Sequence, residues 1–187
     1  MPSSQEPLFR LIAGLGNPGR EYEDTRHNAG FMIVDRLAQR AGVPFRLEAK
    51  WNASIAHAAG VILCKPQSYM NLSGEPISAL ARYHKIDPAR ILAIYDDVAL
   101  PLGRLRIRPG GSSGGHNGMQ SILQHAGDVS RLRIGIGAAD GRPMVEHVLG
   151  KFLPDERPLL AEAIDRAIQA VDFLQIHGID AAMNQFN

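Results

Sequence analysis

His27 is the residue of this chain best suited to act as a base at neutral pH. It stands in the run TRHNAG, immediately before a predicted helix. An imidazole titrates near neutrality, at about pH 6.5 when unperturbed, so its neutral form is available to accept a proton. The alternative is a surface or helix-capping histidine, and only a carboxylate and polar groups converging on the ring would favour the base.

Asp96 is the candidate carboxylate. It follows the apolar run Ile91 to Tyr95, which predicts a buried strand. Functional groups in α/β sheets commonly lie where strands end. Asp96 could therefore orient a histidine and stabilise its protonated form, while Asp97 suits a turn before Pro101. Paired acids also suggest a metal, but no further Asp, Glu or His shows ligand spacing, so we predict no metal site.

Two asparagines stand where predicted helices begin. Asn71 lies in YMNLSG, close to a helix N-terminus that favours negative charge, so its amide could stabilise an oxyanion or simply cap the turn. His116 and Asn117 stand near the end of the run GGSSGGHNG, residues 110–118, which could follow a substrate closely or be a plain mobile loop. That run lacks the Gly-Lys-Ser/Thr of a P-loop, which argues against nucleotide hydrolysis.

The run GLGNPG, residues 14–19, fits the GxGxxG pattern of dinucleotide sites. Residues 20–24 separate it from the next apolar stripe, and the nearest acid, Asp35, lies inside a predicted helix instead of ending a strand. A dinucleotide site is therefore disfavoured against a tight glycine turn. Asn17, within the run, can donate and accept hydrogen bonds at the tip of a strand.

Arginines alternate along two predicted strands, at Arg104, Arg106 and Arg108 and again at Arg131 and Arg133. A period of two places each set on one face. If the strands are neighbours, five guanidiniums share a surface that would suit phosphate, and the alternative is a solvated face balanced by acids elsewhere. The net charge is only +1, so any case for nucleic acid rests on this local clustering.

Strands and helices interleave along the chain, which predicts an α/β domain with helices on both faces of one sheet. Predicted strands cover residues 8–15, 51–58, 60–64, 91–95, 104–108 and 131–137, and predicted helices cover 29–41, a segment from Ser73, 118–126 and a long segment from Pro154. The half-polar arginine strands indicate that part of the sheet is exposed or antiparallel.

Composition supports one ordinary globular domain, since the 187 residues are 45% hydrophobic and 21% charged. Residues 1–7 look like a loose N-terminal tail. Cys64 is the one cysteine, so no intrachain disulfide can form and a reducing cytoplasm fits. We find neither a signal peptide nor a membrane-spanning segment.

The motifs occur in one order, and that ordered set resembles bacterial peptidyl-tRNA hydrolase over nearly the whole chain. It comprises GLGNPG, Tyr22, TRHNAGF, KPQSYMNLSG, YDD with Leu100-Pro101, GGSSGGHNG and RLRIGIG. The resemblance implies one domain over residues 1–187 with a twisted mixed sheet, and hydrolysis of the ester between peptide and tRNA. It further implies no cofactor, no obligate protein partner and a cytoplasmic monomer.

The resemblance also implies roles for individual residues. His27 matches the catalytic base, Asp96 its supporting carboxylate, and Asn71 and Asn117 the amides that hold the peptidyl group and the water. Asn17 matches the residue associated with choosing N-blocked over free aminoacyl-tRNA. Tyr22 and Tyr69 match aromatic contacts near the acceptor end. Met70 and His116 match site-lining residues, and Arg108 and Arg133 match residues that bind phosphate.

Two departures from the family pattern are expected to change contacts with the substrate and not the reaction itself. Ser68 and Tyr69 replace a usual Thr-Phe, and Ala99 replaces an acid that is frequent after the two aspartates. A non-catalytic RNA-binding and splicing branch of the same fold is the rival interpretation. The presence of His27 and Asp96 together with Asn17 and Asn71 favours the enzyme.

Overall fold

A seven-stranded mixed sheet runs through the computed structural model, which describes residues 6–187. The strands are β1 (Leu11–Gly14), β2 (Arg46–Glu48), β3 (Ala53–Ala58), β4 (Val61–Pro66), β5 (Ile91–Asp97), β6 (Leu105–Arg108) and β7 (Ser130–Gly135). Their order in the sheet is β2-β3-β4-β1-β5-β7-β6. Strands β4, β1, β5 and β7 are parallel, and both edges of the sheet are antiparallel. The arginine strands β6 and β7 form one of these edges, in agreement with the expectation of an exposed or antiparallel part of the sheet.

Helices cover both faces of this sheet. They are α1 (Ala29–Ala41), α2 (Gly74–Tyr83), α3 (Asn117–His125), α4 (Met144–Leu149), α5 (Arg157–His177) and α6 (Ile179–Phe186). Alternate residues of β5 point to opposite sides: Leu92 and Ile94 pack with α1, α5 and α6, whereas Ala93 and Tyr95 pack with α2 and α3. The predicted α/β class, with one mixed sheet between two helical layers, is confirmed.

The long C-terminal helix begins later than predicted, at Arg157 and not at Pro154. The chain first makes a turn in which the N–H of Leu153 donates to the carboxylate of Glu156 at 2.7 Å. Pro158, which needs no N–H partner, then occupies the first helical turn. The short elements β2, α4 and α6 were not predicted, and the predicted loose tail lies outside the described residues for positions 1–5.

Two glycines bring α1 against the carboxyl ends of β1 and β5. A Cβ on Gly30 would collide with the carbonyl oxygen of Ile94, and one on Gly14 would collide with the carbonyl oxygen of Gly30. These contacts of backbone with backbone explain part of the glycine-rich run, which does not open a helix as a dinucleotide motif would. They set the start of α1 beside the end of β5, where the candidate site lies.

No helix within residues 6–187 is long and apolar enough to cross a membrane.

Candidate active site

The imidazole of His27 contacts the carboxylate of Asp96, although 69 positions separate the two residues. His27 lies in the turn Arg26–Asn28 before α1, and Asp96 lies near the end of β5. The Nδ1 atom of His27 is 2.8 Å from Oδ2 and 3.0 Å from Oδ1 of Asp96. Asp96 is only 1% exposed. The predicted convergence of an imidazole and a buried acid is therefore present.

A second imidazole holds the same carboxylate. The Nε2 atom of His116 lies 2.9 Å from Oδ1 of Asp96, and its Nδ1 accepts the N–H of Met119 at 3.2 Å. Because Nδ1 is an acceptor, Nε2 carries the proton and donates to Asp96. Burial opposes the ionisation of Asp96, but the charges and hydrogen bonds of His116 and His27 outweigh it and lower the pKa from 3.8 to about 2.

The hydrogen bond to Asp96 also sets the tautomer of His27. An ionised carboxylate only accepts, so Nδ1 of His27 carries the proton and Nε2 keeps a free lone pair. In residues 6–187 no group hydrogen-bonds to that Nε2. The ring lines a cavity of about 340 Å³ together with Asp96, His116, Asn117 and Arg133. An imidazole that lines a cavity and keeps one nitrogen without a partner could accept a proton there.

Three apolar side chains of α4 form a wall of this cavity that the sequence did not indicate. Met144, Val145 and Val148 all line it, on a helix of six residues. His147, on the same helix, is buried and its Nε2 lies 2.8 Å from the carbonyl oxygen of Gly137. A six-residue segment has no clear helical period, which is why α4 escaped prediction.

Asn17 connects the tip of β1 to two neighbouring turns. Its Oδ1 accepts the N–H of Met70 at 2.7 Å. Its backbone N–H donates to Oδ1 of Asn28 at 2.8 Å, and Nδ2 of Asn28 donates back to its carbonyl at 3.0 Å. Asn17 lines a separate polar groove of about 360 Å³ that also contains Lys65 and Gln67. It is thus placed beside the His27 turn but not in the His27 cavity.

Asn71 and Asn117 lie on two elements that pack together. Asn71 belongs to the turn Met70–Leu72, and Asn117 is the first residue of α3. The sulfur of Met70 packs so closely on Gly118 that a Cβ there would meet it at 2.5 Å. Both asparagines are exposed, but only Asn117 lines the His27 cavity. Asn71 makes no capping hydrogen bond to α2, and the first N–H of that helix instead donates to Ser121.

The two predicted aromatic contacts lie near these turns. Tyr69 precedes Met70 and is 60% exposed. Tyr22 is half-buried in the turn Arg20–Tyr22, and its carbonyl accepts the hydroxyl of Thr25 at 2.8 Å. Neither ring lines the His27 cavity.

The arginine strands are neighbours, as predicted, but they do not present five guanidiniums on one surface. Arg106 lies opposite Arg133, and Arg108 lies opposite Arg131. Arg131 is 2% exposed and is neutralised internally, because it donates to Asp128 at 2.6 Å and to the carbonyl of Ser112 at 2.7 Å. Its inclusion in the phosphate surface was therefore wrong.

Arg108 and Arg133 remain candidates for phosphate. Arg133 donates to Oδ2 of Asp97 at 2.9 Å and lines the His27 cavity. Arg108 is half-buried and has no carboxylate within 4.0 Å in the described part of the chain. The two are on antiparallel neighbours and share a sheet face, so one extended anion could reach both.

The glycine-rich loop is anchored at both ends, since His116 at its C-terminal end hydrogen-bonds to Asp96. The N–H of Gly111 donates to Asp128 at 3.1 Å, and the Arg131 contact to Ser112 reinforces this N-terminal end. Gly114 and Gly115 adopt left-handed φ angles of 58° and 83°, and both line the His27 cavity. The loop is therefore a wall of the site and not a detached segment.

A candidate cation site that the residue spacing in the sequence did not indicate is formed by His27, Asp96 and His116. Each offers a ligand atom, and these atoms lie within 4.8 Å of one another. The separations of 2.8–3.0 Å between imidazole and carboxylate are those of hydrogen bonds, so an ion would have to replace the N–H protons. The absence of a metal requirement stays a prediction.

Comparison with known proteins gives one family. The sequence model of peptidyl-tRNA hydrolase matches residues 11–187. A peptidyl-tRNA hydrolase of Synechococcus sp. (strain JA-2-3B'a(2-13)) is 48% identical over 97% of this chain and 84% of its own length. One from Akkermansia muciniphila is 48% identical over 95% of both chains.

A solved structure agrees with these relatives. The crystal structure of peptidyl-tRNA hydrolase from Acinetobacter baumannii superposes with a TM-score of 0.91 at 39% identity, covering 98% of this chain and 97% of that one.

Proposed function

The chain belongs to the peptidyl-tRNA hydrolase family, and from that premise we propose how its residues cleave the substrate. The activity is hydrolysis of the ester between a peptide and tRNA, which returns free tRNA to translation. The observation that carries the proposal is the contact of His27 Nδ1 with Asp96, which leaves Nε2 unpartnered at a cavity.

His27 is the general base. Its neutral Nε2 takes a proton from a water molecule as the oxygen of that water attacks the ester carbonyl. Such assistance is typically worth roughly 10²–10⁴ in rate. Water is the nucleophile, because neither serine hydroxyl of the two G-x-S-x-G matches in residues 110–115 hydrogen-bonds to a histidine ring within residues 6–187; both serines lie in the loop between β6 and α3. Burial raises the pKa of Cys64 to about 12, which keeps this core thiol protonated.

Asp96 supports the base in two ways. It holds His27 in the Nδ1–H tautomer, and its charge stabilises the imidazolium that forms during attack. A pKa of about 2 keeps Asp96 ionised at neutral pH despite its burial. The proton then passes from His27 to the 3′ oxygen of the departing tRNA, which completes the reaction with the ring neutral again.

Asn71 and Asn117 act on the reacting atoms. Asn117 lines the cavity with His27 and holds the attacking water. Asn71 lies on the adjacent turn and donates its amide N–H to the carbonyl oxygen as negative charge develops. One such donor is commonly worth about 10²–10³ in rate.

The other site residues select the substrate. Asn17, tied to Met70, distinguishes an N-blocked from a free aminoacyl group through its amide. Tyr22, Tyr69 and Met70 contact the acceptor end, and Arg108 and Arg133 bind tRNA phosphate. His116 lines the cavity and orients Asp96.

We further infer that residues 1–187 act as a single cytoplasmic domain. It works as a monomer, without a cofactor or an obligate protein partner. One seven-stranded sheet organises the described residues, and one cavity holds the base, the acid and Asn117, so the site needs no second copy of the chain.

One assay tests this function. N-acetyl-aminoacyl-tRNA and free aminoacyl-tRNA are each incubated with the protein in EDTA, and release of tRNA is measured. Cleavage of the blocked form alone is expected, and His27→Ala should lose at least about 100-fold in kcat while still binding tRNA. Binding without cleavage would favour the RNA-binding relative, loss of activity in EDTA would favour a metal, and stabilisation by a nicotinamide dinucleotide would favour a dinucleotide enzyme.

A further inference from the structure

Arg26, the residue before His27, is a buried cation with a single carboxylate partner in residues 6–187. Its side chain is 2% exposed, and Nη2 lies 2.7 Å from Oε2 of Glu156, which is 23% exposed. The guanidinium carbon is 4.9 Å from the centre of the buried Phe152 ring. Nε and Nη1 of Arg26 are buried and find no hydrogen-bond partner within residues 6–187. The position of this guanidinium therefore depends on Glu156.

The backbone around Arg26 is tied to the same stretch of chain. Its N–H donates to the carbonyl of Gly150 at 2.9 Å, and Thr25 forms an isolated antiparallel bridge with Lys151. Gly150 directly follows α4, the helix that supplies the apolar wall of the His27 cavity. The turn that carries the base and the segment that carries the wall are thus joined by side-chain and backbone contacts together.

We infer that Arg26 and Glu156 form a positioning pair, which holds the His27 turn and the α4 segment in one fixed relation. The inference rests on the proposed function, since it concerns the geometry of the same base. Neither residue lines the His27 cavity, so both act through the elements that they connect.

The physical reason is the cost of an unpaired buried charge. Without the carboxylate, the guanidinium of Arg26 remains in a low-dielectric environment with no counter-charge and moves toward water. The turn Arg26–Asn28 moves with it, and His27 loses its alignment with substrate held by the cavity wall. A displacement of about 1 Å at a catalytic group can cost on the order of 10²-fold in rate.

Glu156→Gln is the variant of choice, because it removes the charge but keeps the size and an oxygen that can accept from Leu153. We expect kcat for peptidyl-tRNA to fall by about 10- to 100-fold with a much smaller change in KM. The pH at which activity is lost should stay unchanged, since Asp96 is untouched. Amide hydrogen exchange should accelerate at residues 26–28 and 144–150 only.

The matched control is Asp172→Asn, which removes another ion pair of α5. Arg40 and Asp172 are 2.6 Å apart, but both side chains are 49% exposed and neither lines the His27 cavity. This variant should keep the wild-type kcat. Arg26→Lys, which retains the charge but loses the planar fork, should show an intermediate loss. If Glu156→Gln does not fold, Arg26→Lys tests the inference in its place.

A wild-type kcat in the folded Glu156→Gln protein would overturn the inference, as would exchange that accelerates evenly along the whole chain. Each variant is assayed below its own melting midpoint, so that reduced stability alone cannot lower the rate. If the wild-type protein does not cleave peptidyl-tRNA, the proposed function fails. The exchange experiment needs no substrate and still reports on the pair.

Discussion

His116 hydrogen-bonds to Asp96 through one ring nitrogen and caps the start of a helix with the other. Nε2 of His116 lies 2.9 Å from Oδ1 of Asp96, while Nδ1 accepts the N–H of Met119 in the first turn of α3. The rings of His116 and His27 are 5.1 Å apart between centroids. Two imidazoles therefore hold one carboxylate, and of the two only His27 has a ring nitrogen without a hydrogen-bond partner within residues 6–187.

Replacing His116 should separate its two roles. In His116→Asn the shorter side chain can still cap α3, but it cannot reach Asp96. We expect kcat to fall by roughly tenfold, because Asp96 loses a charge-assisted hydrogen bond that fixes its position. Steady-state kinetics on N-acetyl-aminoacyl-tRNA measures this loss. His125→Asn, at the exposed far end of α3, is the control, and an unchanged rate in both would leave His116 as a cap only.

Removing the charge of Asp96 should nearly abolish turnover. The amide of Asp96→Asn can donate to Nδ1 of His27, which places the ring proton on Nε2 and removes the base. We expect kcat to fall by about 10²–10⁴ with tRNA binding retained. Wild-type turnover in a folded Asp96→Asn protein would mean that Asp96 only closes a turn.

Asp96 should also contribute to acid sensitivity of the fold. Its pKa is lowered from 3.8 to about 2, because the two histidines outweigh the effect of burial. A carboxyl with a depressed pKa in the folded state stabilises the fold above pH 3.8, and this contribution is lost as the pH falls toward 2. It amounts to on the order of 2 kcal/mol. Urea unfolding at pH 5, 4 and 3 should show a shallower pH dependence in Asp96→Asn, and parallel slopes would contradict the assignment.

The sequence predicted what depends on local patterns. The apolar period of residues 29–41 matches α1, and the run from Ile91 correctly indicated β5 with Asp96 near its end. The alternating arginines correctly placed Arg106 and Arg133 on a common face. Each of these inferences needs only the geometry of one element or of two neighbouring strands.

The failures concern contacts between distant segments. Arg131 has the same strand period as Arg133, and only the loop carrying Ser112 and the turn carrying Asp128 bury it. Local spacing likewise could not show that His116 reaches Asp96. The cluster of His27, Asp96 and His116 therefore matches no metal-ligand motif in the sequence. The pair Arg26–Glu156 spans 130 positions, and no periodicity reports it.

The remaining arginines should affect tRNA binding separately from chemistry. Arg108 has no carboxylate partner in the described chain, and Arg133 has an Nε that is buried without a hydrogen bond. Each phosphate contact releases counterions, so Arg108→Ala and Arg133→Ala should weaken tRNA binding and reduce the slope of log K against log salt by about 1 each. Binding titrations at several salt concentrations measure this slope.

Two further variants define what the arginine result means. Arg36 lies on α1, which covers the opposite face of the sheet, so Arg36→Ala should leave the salt slope of tRNA binding unchanged. Arg131→Ala should instead lower the stability of the fold, because it leaves Asp128 and Ser112 without their shared donor. A small N-blocked aminoacyl ester has no phosphate, so its cleavage should be unaffected by Arg108→Ala and Arg133→Ala. If the small ester and tRNA suffer equally, the arginines shape the cavity and do not bind the phosphates of the tRNA.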